Sequence, residues 1–361
     1  MARPTTVPSP AATGSGGMRE VDIAMLSRCV EQGLRGPEVD PNPRVGCVVL
    51  DAAGALVGLG HHDGAGSAHA EVVALTEAGA RAEGGTAYVS LEPCGHTGRT
   101  PPCTRALRES GVSRVVYARA DPDPRAAGGG QWLRRHGVLT EQVELAEADD
   151  LVRHWAFAVT HGRPWVTWKV ATTLDGRVAA SDGSSAWVTG EQARADVHRL
   201  RSRCGAIVVG TGTALADDPG LTARRPDGTL YADQPLRVVV GARDLPAGAR
   251  VEPALRLRSG EVGEVTEALH SRGVRRVLLE GGPTLAAAFW RAGSVDEVIA
   301  YVAPALLGSG APAVADLGIE TIADIARMDI VDVTRVGADV RITGHPHRDE
   351  HRDRDRDNGK A

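Results

Sequence analysis

The chain has 361 residues, a formal net charge of −5 and 3% aromatic residues, which is the length of two domains of ordinary size. Apolar residues at 42% and charged residues at 24% exclude disorder throughout and a small disulfide-stapled scaffold. The acidic balance argues against a nucleic-acid binder, and without a long apolar span or a secretion leader the sequence predicts a cytoplasmic protein that makes no membrane contact.

The first half of the chain predicts helices alternating with strands, after a tail. Residues 1–17 hold hardly a large apolar side chain and are predicted to be disordered. Apolar residues at helical spacing predict helices over 19–33, 71–82 and 104–110, and short apolar runs predict strands over 45–50, 87–91 and 114–118. Short Gly and Pro turns join these elements, so we expect an α/β domain over 18–162.

The pattern pauses at 161–164 and then restarts, which predicts a second α/β domain over 163–344. The charged, low-complexity run 345–361 is predicted to be a disordered tail. Apolar runs and helical spacing predict strands at 165–171, 206–209, 236–240, 277–279 and 298–302, and helices at about 191–202, 264–271 and 284–291.

An imidazole and two thiols in the first domain have the order of a catalytic zinc site. His69 and Glu71 are separated by one residue, and Cys94, which follows Pro93, and Cys103 come later. Three such ligands leave a fourth position for water, whose pKa zinc lowers toward 7. Glu71 is then placed to carry protons between that water and a leaving amine.

Each part of this pattern is weak alone, because His-x-Glu occurs by chance in helices. An odd count of five cysteines in a long chain indicates a reduced compartment with core or metal-binding cysteines. We expect core positions for Cys29, Cys47 and Cys204. The conjunction is a variant of the H-x-E and P-C-x-x-C signature of zinc nucleobase deaminases, with eight residues between the two cysteines.

Three motifs narrow the prediction further. They are LEPCGHTGRTPPC at 91–103, PNPRVGC at 41–47, and DPDP at 121–124 before Gly128 and Gly130. With them the chain closely resembles the bifunctional riboflavin-biosynthesis deaminase-reductase family, over about residues 20–344. The resemblance implies a cytidine-deaminase-like α/β/α domain followed by a dihydrofolate-reductase-like α/β domain.

The resemblance also implies the two reactions. The first is zinc-dependent hydrolytic deamination of 2,5-diamino-6-(5-phosphoribosylamino)pyrimidin-4(3H)-one to 5-amino-6-(5-phosphoribosylamino)uracil. The second is NADPH-dependent reduction of the ribosyl group to ribityl. The expected partner is therefore a small phosphorylated pyrimidine, and a homo-oligomer is left open.

In the first domain the resemblance implies that His69, Cys94 and Cys103 hold one zinc ion per chain and that Glu71 is catalytic. Asn42 would contact the substrate; from the residues alone it is as readily an Asn-Pro turn residue as a ligand. The chain departs from the family at two positions, with Gly64 in place of a basic residue and Ala68 in place of proline.

In the second domain the strand at 165–171 places Lys169, one of only two lysines, on its less apolar face. The run 277–284 predicts a strand, a glycine turn and a helix start. Backbone amides at such a helix start can bind the phosphates of a dinucleotide, but a plain turn without a ligand is the simpler interpretation. The resemblance implies that Lys169 is catalytic. It implies cofactor contacts from Ala171, Thr172, Trp187, Thr213, Asp217, Gly281, Gly282, Pro283 and Thr284, and substrate contacts from Ser185, Arg201, Leu221, Arg224 and Glu280.

Two alternatives stay open. The same architecture could act on a modified nucleobase in a specialised pathway. A non-catalytic zinc-binding interaction protein is the alternative from another class, and the presence of three metal ligands together with Glu71 argues against it.

Overall fold

The structure is a computed structural model that describes residues 15–95, 101–185 and 188–347. They divide into two compact units, one on either side of the boundary between His161 and Gly162. The first helix begins at Ser15 and the last strand ends at Pro346, so each end of the ordered fold reaches into a range predicted as a tail. The rest of both tails lies outside the described residues.

The first unit is a five-stranded sheet with helices on both faces. Its strands run in the order β2-β1-β3-β4-β5, with β1 antiparallel to both neighbours and β3, β4 and β5 parallel. The strands are β1 (Gly46–Leu50), β2 (Leu56–His61), β3 (Thr86–Val89), β4 (Arg114–Tyr117) and β5 (Leu139–Gln142). The helices are α1 (Ser15–Gly33), α2 (Ala70–Ala78), α3 (Cys103–Glu109), α4 (Gly129–Arg135) and α5 (Ala146–His161).

The alternation of side chains along β1 assigns the helices to the two faces of this sheet. Cys47 and Val49 point into a buried cluster with α2, α3 and α4. Val48 and Leu50 point to the other face, where α1 and α5 close a second cluster. The predicted helix over 71–82 is α2 followed by a single 3₁₀ turn at Gly79–Ala82.

Two glycines on β2 set the position of α2. An added Cβ would lie 2.1 Å from the Ala74 carbonyl oxygen at Gly58 and 2.1 Å from the Ala70 carbonyl oxygen at Gly60. Only glycine allows the two backbones to approach this closely. Because α2 begins next to His69, this contact also places the candidate metal site.

The second unit is an eight-stranded sheet in the order β12-β13-β11-β6-β10-β7-β8-β9. The strands from β11 to β9 in this order are parallel, and the β12–β13 hairpin joins β11 antiparallel. The strands are β6 (Trp165–Thr173), β7 (Ala206–Gly210), β8 (Leu236–Val240), β9 (Leu255–Leu257), β10 (Arg276–Leu279), β11 (Glu297–Ala303), β12 (Met328–Val336) and β13 (Asp339–Pro346). The helices are α6 (Glu191–Arg201), α7 (Thr211–Asp217), α8 (Val262–His270) and α9 (Pro283–Arg291).

The parallel strands bring their carboxyl ends to one edge of the sheet. The turns after β7, β8 and β10 therefore meet beside the end of β6, and ligands bind at such edges in open α/β sheets. Two buried clusters flank the sheet. Within the described ranges, no helix has both the length and the apolar character needed to cross a bilayer.

Candidate active sites

Three elements of the first unit bring the predicted zinc ligands together. His69 caps α2, Cys103 is the first residue of α3, and Cys94 lies in the loop after β3. His69 Nδ1 lies 3.1 Å from Cys103 Sγ and 3.7 Å from Cys94 Sγ, and the three ligand atoms all lie within 4.8 Å of one another. Tetrahedral zinc bonds of about 2.0 Å to nitrogen and about 2.3 Å to sulfur place ligand atoms roughly 3.5–3.8 Å apart. The donor set therefore fits zinc.

The two thiols differ in acidity. A hydrogen bond from the Cys103 thiol lowers the pKa of Cys94 to about 4 against the opposing effect of burial, and His69 lowers it further. The same hydrogen bond and burial raise the pKa of Cys103. The backbone N–H of Cys103 also donates to Cys94 Sγ at 3.4 Å. Cys94 is thus prepared as a thiolate, while Cys103 loses its proton when it binds metal.

Glu71 lies in the first turn of α2 and is only 3% exposed. Burial raises the pKa of its carboxyl to about 6, and the nearby Cys94 thiolate acts in the same direction, whereas His69 opposes it. A carboxyl that titrates near neutral pH can both take up and release a proton during turnover. This is the property that proton transfer between water and a leaving amine needs.

The structure connects Asn42 to a residue that the sequence analysis missed, His62. Asn42 Nδ2 lies 3.1 Å from His62 Nε2, and His62 Nδ1 lies 3.0 Å from the Ala68 carbonyl oxygen. Since that carbonyl accepts the Nδ1 proton, Nε2 accepts from the Asn42 amide. His62 is buried, and its ring meets that of His69 edge-on at 5.3 Å. The sequence carried no signal for it, because the strand β2 that His62 follows shows no clear apolar alternation.

Gly64, where the resemblance leads us to expect a basic residue in relatives, has a backbone conformation that favours glycine. Gly64 has φ +97, and an added Cβ would lie 2.6 Å from Asp40 Oδ2. Asp40 accepts the Ala65 N–H at this turn. A basic side chain at this position would therefore need a different turn.

Glu92 ties the DPDP motif to the cysteine loop. Its buried carboxylate accepts the Gly130 N–H at 2.8 Å and the Asp121 N–H at 3.2 Å. An added Cβ at Gly129 would lie 1.7 Å from the Pro93 carbonyl oxygen. The motif and its glycines hence hold the loop that carries Cys94.

In the second unit, Glu280 follows β10 and lies between two cations. Arg201 donates to both carboxylate oxygens, from Nε at 2.6 Å and from Nη2 at 2.9 Å, and Lys169 Nζ lies 3.8 Å from Oε2. Burial alone would raise the pKa of Glu280, but Arg201 and then Lys169 lower it to about 2. Burial lowers the pKa of Lys169, and Glu280 opposes that shift.

The predicted substrate contacts Leu221 and Arg224 flank Thr222, which bonds to Arg201. Arg201 Nη1 donates to the Thr222 carbonyl oxygen at 3.1 Å, and Arg224 Nε donates to Thr222 Oγ1 at 3.0 Å. Leu221 is buried at φ +46. With three bonds made, Arg201 retains two of its five N–H donors for a ligand.

The predicted cofactor residues lie along the carboxyl edge of the sheet. Ala171 and Thr172 are near the end of β6, and Pro283 and Thr284 begin α9. Asp217, another predicted cofactor contact, accepts a hydrogen bond at Oδ1 from Oγ of Ser185, a predicted substrate contact, at 3.4 Å. The turns after β7 and β10 touch, since the Gly282 N–H donates to Thr213 Oγ1 at 3.2 Å, and Gly281 leaves no room for a Cβ beside Leu285. Such glycine turns fit the close approach of a dinucleotide. Trp187 lies outside the described residues.

Comparison with known proteins covers both units. A family model for the cytidine and deoxycytidylate deaminase zinc-binding region matches residues 19–119, and one for the RibD C-terminal domain matches residues 164–342. The riboflavin biosynthesis protein RibD of Mycobacterium tuberculosis strain H37Rv is 52% identical over 278 residues, which is 74% of this chain and 80% of that protein.

Two solved structures superpose on nearly the whole chain. Acinetobacter baumannii RibD, in its second crystal form, matches with a TM-score of 0.84 and 36% identity, over 91% of this chain and 100% of that one. The diaminohydroxyphosphoribosylaminopyrimidine deaminase/5-amino-6-(5-phosphoribosylamino)uracil reductase of Thermotoga maritima matches with a TM-score of 0.81 and 30% identity, over the same shares.

These matches confirm the predicted fold class and activity. The first unit is a zinc-binding deaminase domain with a His/Cys/Cys site, and the second is the α/β reductase domain that matches the RibD C-terminal domain. The chain belongs to the RibD family, the bifunctional deaminase/reductase enzymes of riboflavin biosynthesis.

Proposed function

We propose that the first unit deaminates 2,5-diamino-6-(5-phosphoribosylamino)pyrimidin-4(3H)-one, and that the second reduces the resulting uracil's ribosyl group to ribityl with NADPH. The observation that carries the first step is the convergence of His69, Cys94 and Cys103 next to the buried Glu71. The similarity to the deaminase/reductase of Thermotoga maritima supports this choice of substrate.

In the deaminase site, His69, Cys94 and Cys103 hold one zinc ion per chain. The chemistry that bound zinc supplies is activation of water at neutral pH. Glu71 takes the proton from the attacking water, whose oxygen bonds to the amine-bearing carbon, and delivers it to the amine as the C–N bond breaks. Ammonia leaves, and Glu71 returns to its carboxylate form. Asn42, held by His62, positions the pyrimidine.

In the reductase site, the chemistry that bound NADPH supplies is a hydride for C1′ of the opened sugar. Lys169 is the catalytic residue and faces the sugar with Glu280, which holds it at 3.8 Å. Ser185, Arg201, Leu221 and Arg224 contact the substrate, whose phosphate suits guanidinium donors. The residues at the ends of β6, β7 and β10 would hold the cofactor, together with Trp187, which is included on the resemblance alone.

A reduced, cytoplasmic setting suits this enzyme. All five cysteines are free thiols, and the three outside the zinc site are buried. A small phosphorylated pyrimidine is the partner we propose, without nucleic acid or membrane.

The experiment that tests this function follows both products in one reaction. Purified enzyme, the diaminopyrimidinone phosphate and NADPH should release ammonia and consume NADPH in equal amounts. Glu71→Gln should lower ammonia release by roughly 10²–10⁴-fold and leave reduction of pre-deaminated substrate unchanged.

The exposed Glu83, just after the 3₁₀ turn that follows α2, provides the matched control. Glu83→Gln should behave as wild type in both assays. Wild-type enzyme that releases no ammonia from this substrate, or Glu71→Gln enzyme that releases it at the normal rate, would contradict the proposal.

A further inference from the structure

The segment 221–224, which lies after α7, carries two of the proposed substrate contacts, Leu221 and Arg224. Leu221 is 3% exposed and belongs to one buried cluster with Val197 and Leu200 of α6. Its φ of +46 is in the left-handed region, where a residue other than glycine stays only if its surroundings hold it there. The contacts that hold this segment therefore decide where the two substrate contacts lie.

Two side chains of α6 hold the segment by the same backbone oxygen. His198 Nδ1 lies 3.0 Å from the Thr222 carbonyl oxygen, and Arg201 Nη1 donates to that oxygen at 3.1 Å. Since a carbonyl oxygen only accepts, Nδ1 of His198 carries a proton and donates it. Residues three positions apart share one face of a helix, so α6 presents both donors to Thr222 and both lone pairs of its carbonyl are used.

His198 differs from Arg201 in having no second partner. Arg201 is also paired with Glu280, whereas the described part of the chain offers the half-buried His198 side chain no hydrogen bond besides the one to Thr222. Burial and then the Arg201 guanidinium lower the pKa of His198, so its ring is neutral near pH 7. A neutral imidazole adds no charge to a phosphate site, and its bond to the backbone is what it contributes there.

A separate anchor holds the next residue of the segment. Gln234 Oε1 accepts the Ala223 N–H at 2.9 Å, and its Nε2 donates to the Ala223 carbonyl oxygen at 2.9 Å. Gln234 does not bond to Thr222, whose carbonyl is left to α6. The attachment of Thr222 to the reductase site hence depends on His198 and Arg201.

We propose that His198 is a positioning residue of the reductase site, which fixes the Thr222 carbonyl and thereby places Leu221 and Arg224 for the substrate. The inference rests on the proposed function, which assigns those two residues to the substrate. Arg224 Nε donates to Thr222 Oγ1 at 3.0 Å, so a displacement of Thr222 also displaces the guanidinium that suits the substrate phosphate.

The first test compares the steady-state kinetics of His198→Ala and His198→Asn with those of wild type. His198→Ala should raise the KM for pre-deaminated substrate about fivefold, the effect of one hydrogen bond, and leave kcat and the KM for NADPH unchanged. Asparagine keeps an N–H donor bonded to Cγ, as Nδ1 of the imidazole is. His198→Asn should therefore restore the wild-type KM.

The second test measures the segment itself, without turnover, by amide hydrogen exchange in the full chain. The Ala223 N–H is hydrogen-bonded, so its exchange reports how often the segment opens. Exchange in a peptide covering 221–225 should be faster in His198→Ala protein and should return to the wild-type rate in His198→Asn protein.

His270→Ala is the matched control. His270 is the last residue of α8 and comes before β10, so it lies at the amino edge of the same sheet. The variant should match wild type in both KM values and in the exchange of 221–225.

The outcomes separate this proposal from the proposed function. Wild-type KM and exchange in His198→Ala protein, or a raised KM without faster exchange, overturns the positioning role, and so does a failure of His198→Asn to recover. An equal rise in the KM for NADPH would indicate a general structural defect and overturns it too. Wild-type enzyme that reduces no pre-deaminated substrate overturns the proposed reductase function, whereas the exchange rates still decide whether His198 holds the segment.

Discussion

His62 shows how a single side chain can act through another residue. It accepts from the Asn42 amide and bonds to the Ala68 carbonyl oxygen next to His69. His62→Ala removes the acceptor that orients Asn42, so we expect deamination to fall roughly tenfold, the effect of one hydrogen bond. Zinc content should stay at the wild-type value in metal analysis.

The neighbouring His61 is the control for this prediction, because in the described part of the chain its side chain pairs with the exposed Asp63 and not with Asn42. His61→Ala should retain wild-type deamination. If His62→Ala enzyme loses zinc and activity in parallel, then His62 supports the metal site and not Asn42.

Glu280 predicts an acid-sensitive stability for the second unit. Its folded-state pKa of about 2 lies below the ordinary value of 4.5, despite burial, because Arg201 and Lys169 favour the carboxylate. The carboxylate therefore contributes stability fully above about pH 4.5 and loses it as the pH falls toward 2.

Glu280→Gln should lower the free energy of unfolding by about 3 kcal/mol at pH 7, because it leaves the partly buried Arg201 without its counter-ion. The difference from wild type should shrink between pH 4.5 and pH 2, as measured by denaturant unfolding. Glu267→Gln, on the exposed side of α8, should show no difference at either pH. A pH-independent loss in Glu280→Gln would mean that packing, and not charge, is responsible.

At the scale of elements, the contact between β2 and α2 positions the zinc ligand His69. An Ala at position 60 would place its Cβ 2.1 Å from the Ala70 carbonyl oxygen and 2.6 Å from the Ala74 nitrogen. Both are backbone atoms, so α2 would have to move. Gly60→Ala should lower stability by about 1–3 kcal/mol, and zinc retention during dialysis should fall with it.

The same substitution at Gly263 is the control, since apart from its chain neighbours and its own helix backbone no heavy atom of the described residues lies within 4 Å of the Cβ position there. Gly263→Ala should unfold at or slightly above the wild-type temperature. A Gly60→Ala protein with wild-type melting and zinc content would show that the sheet accommodates the methyl group.

The strength of the apolar pattern in each strand explains why some strands were predicted from the sequence and others were not. The strand β1 is a continuous buried run, GCVVL, and its sequence signal is strong. In β2 the glycines that admit α2 interrupt the apolar alternation, so the strand leaves no clear pattern. The β12–β13 hairpin also escaped prediction, because the edge strand β12 is mostly exposed and its charged residues break the run.

At the scale of the whole molecule, the buried clusters fall within one unit or the other. Removal of zinc by a chelator should therefore abolish deamination and leave reduction of pre-deaminated substrate at the wild-type rate. Both rates would be measured on one chelated sample, and added zinc should restore ammonia release. Loss of both activities on chelation would indicate that the second unit depends on the metal.

By itself the sequence determined the chemistry of the protein. The types and order of His69, Glu71, Cys94 and Cys103 limit what can be bound there, and the alternation of helices and strands limits the fold class, because both depend on local residue identity. Only the tertiary structure joined His62 to Asn42 and Arg201 to Glu280. Those residues are 20 and 79 positions apart, and such contacts depend on strand order and on close backbone packing, which no local pattern encodes.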